Sequence, residues 1–194
     1  MASDARQQYA EDITFVRQAV ESRNRLHYGS VAVAVLWGIM IMIGFALSDF
    51  NYRLVPWFWT LGGTAAALLT WRMDYRAVRA TGVTEHGQRL RNAMHWPIIF
   101  VAAVPIFLMV SKYQLPSSSI GPLFALISGI VWYLGGVNLD RRFLAPGAMM
   151  IIGSGLIPYL GPYPWTMLGV ATGLVLILSA FWMRSNDVET KTTH

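Results

Sequence analysis

RMDYRAVRATGVTEHGQRLRNAMHW, residues 72–96, divides two long apolar regions and carries five of the fifteen Lys and Arg residues of the chain, all of them Arg. On either side, and beginning within its own last residues, lie runs with no charged residue at all: 28–48, 54–71, 92–111, 113–139 and 143–183. A bilayer core takes about 20 apolar residues per helix, and about 17 suffice. Four of these runs therefore hold one helix each. The fifth is 41 residues long and is broken by Pro158, Gly161, Pro162 and Pro164, so it reads as two helices joined by a tight turn. The expected architecture is an all-α membrane protein with six transmembrane helices in three hairpins. The spans fall at about 29–47, 54–71, 97–111, 120–139, 143–160 and 165–183.

Composition agrees with this. The chain is 55% hydrophobic and only 13% charged, against about a quarter charged for a soluble domain. Cysteine is absent, which excludes disulfides, thiolate catalysis and cysteine-held metals. Residues 1–28 lack the short basic region, apolar core and cleavage site of a secretory signal, so the first span is expected to be an uncleaved anchor. Within this segment Ile13, Val16, Val20 and Leu26 recur at helical spacing among charges, which predicts a cytoplasmic amphipathic lead-in helix. Residues 184–194 are polar and are expected to form a disordered cytoplasmic tail.

Six spans fix an orientation. On alternate sides of the membrane the Lys and Arg residues number thirteen against two, the two being Arg53 and Lys112. The positive-inside rule then places both termini in the cytoplasm. The net charge of +5 is accounted for by topology and by attraction to anionic lipid head groups, so no nucleic-acid partner is expected.

Several smaller features refine the picture. Pro56 and Pro122 suit the first turns of their helices, where a missing N–H costs nothing. Pro105 inside the third span removes a backbone bond to Val101 and predicts a kink. Trp57, Phe58 and Trp59 mark a membrane interface. Gly62 with Ala66, Ala125 with Gly129, and Gly169 with Gly173 are small residues four apart that permit close helix contact. RNRLHY at 23–28 and RNAMHW at 91–96 echo each other 68 residues apart, and YPWTMLG near the last span echoes VPWFWTLG in the second. A duplicated helix-plus-hairpin unit in one orientation would produce this, unlike the inverted repeats of many transporters.

Chemistry-bearing groups are sparse. His27 and His95 occupy equivalent helix entrances in the repeat, where they are expected to serve as helix-end contacts, the alternative being metal ligation together with His86. No nucleophile, zinc-protease or phosphate-loop motif occurs. The spans as drawn contain no Asp, Glu, Lys or Arg, and such residues mark ion pathways. The segment Asp12-Ile13-Thr14-Phe15-Val16-Arg17-Gln18-Ala19-Val20-Glu21 resembles the lead-in ahead of the first span in small uncharacterised bacterial multi-span membrane proteins. That resemblance covers ten residues and implies a bacterial inner-membrane setting and no activity.

The expected function is therefore non-enzymatic, without a cofactor or a metal: an accessory subunit or membrane-embedded regulator that acts through lipid or protein contacts, in a homo-oligomer or with a partner at the cytoplasmic face. The candidate contact residues are Arg76, Arg79, Arg89, Arg91, His27 and His95. The alternative is a passive transporter or channel for a small weakly polar solute, as a dimer, lined by Thr60, Thr64, Ser128, Asn138, Ser154 and Thr172.

Overall fold

A computed structural model describes residues 28–81, 90, 94–113 and 119–192. Among them there is no strand. The lead-in at 1–27 lies outside the described residues.

Helix α1, Tyr28–Phe50, is an uninterrupted apolar run about 34 Å long at 1.5 Å per residue. A 3-10 turn, Tyr52–Leu54, then leads into a composite rod. Its parts are α2, Val55–Trp57, a π-helical turn, Phe58–Gly63, and α3, Thr64–Thr81. Pro56 stands in its first turn, as the sequence predicts. The remaining helices are α4, Ile98–Tyr113, α5, Ile120–Asn138, α6, Leu144–Leu156, and α7, Pro164–Thr192. Single 3-10 turns at Arg141–Phe143 and Ile157–Tyr159 extend α6 at both ends. Three helical segments are long and apolar enough to cross a bilayer: Val31–Phe50, Ile120–Asn138 and Pro164–Met183.

Two sequence-based boundaries need correcting. The second rod does not stop at Trp71 but remains helical to Thr81, so the first ten residues of the expected loop at 72–96 are helix. Similarly, α7 runs on to Thr192 through most of the expected disordered tail. The physical reason is shared. Hydropathy marks where apolar character ends, whereas a helix already nucleated propagates at low cost through residues such as Arg, Met and Ala until Gly or Pro intervenes. Neither occurs between Gly63 and Gly82, or after Pro164 except at Gly169 and Gly173 inside the span.

The rods lie side by side in the order α3, α1, α7, α6, α5, α4. The most extensive contacts join the first helix to the last and α5 to α6. In both pairs glycine lets backbone meet backbone. A Cβ added to Gly173 would lie 2.6 Å from the Gly38 carbonyl oxygen, and one on Gly169 would lie 2.5 Å from Phe45 Cβ. In the other pair, added Cβ atoms at Gly129 and Gly136 would stand 2.8 Å from Ile151 N and 2.5 Å from Leu144 N. Close approach of this kind is what holds apolar helices together where lipid offers no hydrophobic driving force. Leu176, Thr172 and Ala180, all fully buried on α7, form the centre.

Adjacent rods run antiparallel, as paired positions show: Gly44 meets Trp59 while Trp37 bonds Thr70, and Gly38 meets Gly173 while Asp49 bonds Thr166. The bundle thus has two distinct ends. Phe50, Tyr52, Trp57, Tyr113, Tyr159 and Tyr163 are exposed toward one, and Trp71, Tyr75 and Trp182 toward the other. Between them the surface is apolar, above all on the edge helix α4, where Phe100, Val101 and Leu108 are 75%, 66% and 64% exposed.

Candidate functional site

Of the six contact residues read from the sequence, the structure describes three. His27, Arg89 and Arg91 lie outside the described residues. Arg76 and Arg79 are exposed on the continuation of α3, and the Arg79 guanidinium lies 4.8 Å from the centre of the Tyr75 ring. Four-residue spacing brings these two side chains together on one helix face, and the ring face attracts the cation. His95 precedes α4, at the opposite edge of the row. The structure therefore places the three described candidates at opposite edges of the row and not in one site.

His95 is held in place. Its Nε2 donates to the Val131 carbonyl at 2.9 Å; the acceptor can only accept, so this nitrogen carries the hydrogen. Gly135 makes room, since a Cβ there would sit 3.0 Å from Nε2. Among the described residues it is a main-chain carbonyl, not a carboxylate, that orients this ring. The imidazole meets Trp96 edge-on with centroids 5.2 Å apart, and Trp96, Trp132 and Phe143 contact one another at 5.1 to 6.0 Å, all edge-to-face. Such pairs contribute about 0.5–1.5 kcal/mol each beyond area burial. The cluster fastens the start of α4 to α5 and to the turn before α6.

That turn carries the least expected feature. The run Asp140, Arg141, Arg142 falls between two expected spans, yet Arg142 is only 3% exposed. Asp140 caps the 3-10 turn by accepting the Arg142 N–H at 3.0 Å, and its Oδ1 stands 3.6 Å from Arg142 Nε. Ser179 of α7 shares its hydroxyl between the carbonyls of Leu176, at 2.9 Å, and Arg142, at 3.2 Å. A buried guanidinium needs both a counter-charge and hydrogen bonds, and the Asp140 carboxylate supplies the former here. At the opposite end Asp49 does comparable work across the bundle. Its carboxylate accepts the Trp165 N–H at 3.4 Å and both the N–H and the hydroxyl of Thr166 at 2.7 Å. The first turn of α7 is thus capped by a residue from α1.

No family model, curated protein or solved structure matches the chain. Function must be read from the side chains alone. Thr64, Thr70 and Asn138 each donate to a carbonyl four residues earlier in the same helix, and Ser154 to one three residues earlier. Among the described residues no three His, Asp or Glu side chains are placed to hold a metal ion.

Asp49, Arg142 and Ser179 were not singled out by sequence reasoning, although a signal existed for the first. Helix α7 follows Gly161, Pro162 and Tyr163, none of which offers a capping oxygen, and Asp49 is the one carboxylate in the three loops expected on that side. Nothing comparable in the sequence separates the buried Arg142 from the exposed Arg141.

Proposed function

We propose that all six rods cross the bilayer with both termini cytoplasmic, and that the protein acts without catalysis, as an accessory subunit or membrane-embedded regulator working through lipid and protein contacts. The charge placement supports the orientation. Exposed Arg72, Arg76, Arg79 and Arg141 lie at one end of the bundle, and exposed Arg53 and Lys112 at the other. Rings suited to a membrane interface are exposed at both ends. Although α6 has only 13 residues, its two flanking 3-10 turns lengthen it to about 31 Å, using rises of 1.5 and 2.0 Å per residue.

The observation that carries the contact reading is the continuation of α3, which presents arginines on an ordered helix beyond its apolar part. The transporter alternative receives less support, because Thr64, Asn138 and Ser154 already bond within their own helices. The setting implied by the lead-in resemblance is a bacterial inner membrane.

Two experiments test the proposal. Since the native chain has no cysteine, single variants Asn138→Cys and Gly161→Cys, both at exposed positions, are treated in intact cells with a membrane-impermeant maleimide. Labelling is expected at 161 and not at 138; the reverse pattern overturns the orientation. Crosslinking followed by purification in mild detergent is expected to recover a recurrent assembly of copies or with a partner. A solitary monomer under every condition overturns the contact role.

A further inference from the structure

We propose that the last three turns of α3 form an arginine arm that grips the phosphate groups of anionic lipids in the adjacent leaflet, through Arg72, Arg76 and Arg79 acting together. The inference deepens the membrane reading above and rests on it. Had these residues been a loop, their spacing would say nothing. In the helix that the structure shows, positions 72, 76 and 79 fall within an arc of about 60° at 3.6 residues per turn. They are spread over about 10 Å of axis at 1.5 Å per residue. All three are exposed, and Asp74, the acidic residue of this stretch, stands about 140–160° away on the helix wheel.

Direction matters as much as spacing. Helical side chains tilt toward the N-terminus of their helix, and α3 leaves its apolar stretch with the C-terminus leading, so these arginines lean back toward the bilayer. Arg79, the most distant, is folded over Tyr75, one turn nearer the apolar part. Exposed Trp71 and Tyr75 set the depth of the interface. The polar layer of one leaflet is about 5–7 Å thick, which Arg72 and Arg76 reach directly and Arg79 reaches by snorkelling. The negative end of the helix dipole favours cations at the same place. A guanidinium is also suited to bidentate binding of phosphate oxygens.

The test uses the full chain, purified in mild detergent and titrated with phosphatidylglycerol or phosphatidylcholine while bound lipid is counted by native mass spectrometry. Phosphatidylglycerol is expected to bind selectively. Each single Arg→Gln change at 72, 76 or 79 should weaken it about fivefold. The triple variant should lose selectivity altogether, while Arg141→Gln, exposed at the same end but off the arm, changes it little. Equal retention of phosphatidylglycerol by wild type and triple variant overturns the proposal. Competition by millimolar inorganic phosphate, beyond the effect of matched sodium chloride, overturns it in favour of a soluble-anion site. Alkaline extraction of membranes from expressing cells is a separate readout: release of the wild-type chain would sink the membrane reading itself, whereas retention of both forms leaves the lipid measurement to decide the arm.

Discussion

The pairs α1 with α7 and α5 with α6 differ from the edge rods α3 and α4 in how they are held. In the pairs, glycine faces backbone and a side chain of any size would meet main-chain atoms. At the edges, large side chains such as Phe100 and Leu108 point outward and are mostly exposed. The α4 edge is fastened near its start by the His95 cluster, and the α3 edge by the Trp37 Nε1 bond to Thr70 Oγ1 at 3.1 Å and by Trp59 seated on Gly44. The comparison teaches that this protein separates a tightly packed interior from a surface organised to face something else.

The harshest way to break the distinction is Gly173→Leu. The leucine Cβ would fall 2.6 Å from both the Gly38 oxygen and Met42 Cγ, and the pair must separate, at a cost of about 3 kcal/mol or more. Unfolding in mild detergent measures this, and wild-type stability would refute backbone contact as the basis of the pair. Asp49→Ala removes the cap shared by α1 and α7, with an expected loss of about 1–2 kcal/mol. If Thr166→Val and Asp49→Ala prove additive in a double-mutant cycle, the Thr166 hydroxyl contributes nothing to the cap and its value rests on the two main-chain N–H bonds. Gly135→Ala crowds His95 off the Val131 carbonyl and should cost about 1 kcal/mol. Most of that cost should vanish when His95→Ala is already present, and full additivity would show that the bond is not what the methyl disturbs. At the small end, Phe100→Ala on the α4 edge should change stability by less than about 0.5 kcal/mol. A larger loss would mean that this face is packed in the purified protein.

The apolar rods were readable in the sequence because a charge-free run and its Pro or Gly boundaries mark a continuous apolar helix. The turn between α6 and α7 is written plainly in Pro158, Gly161, Pro162 and Pro164. The continuation of α3 was not readable by the same rule: Arg72, Asp74, Arg76 and Arg79 end the apolar signal without ending the helix. Nor was the pairing of α1 with α7, since the small residues at 169 and 173 announce that some helix comes close without naming Gly38 as the place. Of the candidate residues, Arg76, Arg79 and His95 can be nominated by type, but that α3 and α4 lie at opposite edges of the row is a matter of helix order, which local patterns do not encode.

That order has a consequence for biogenesis. Helix α1 is synthesised well before its principal partner, α7. About 135 residues of synthesis separate Gly38 from Gly173, on the order of 7–27 s at 5–20 residues per second. Throughout that interval the glycine face of α1 lacks the helix that covers it, while α5 and α6 can dock as soon as both are made. A nascent chain halted before α7 would therefore retain one finished pair and one bare face, which makes α7 the clasp between α1 and the α5–α6 pair.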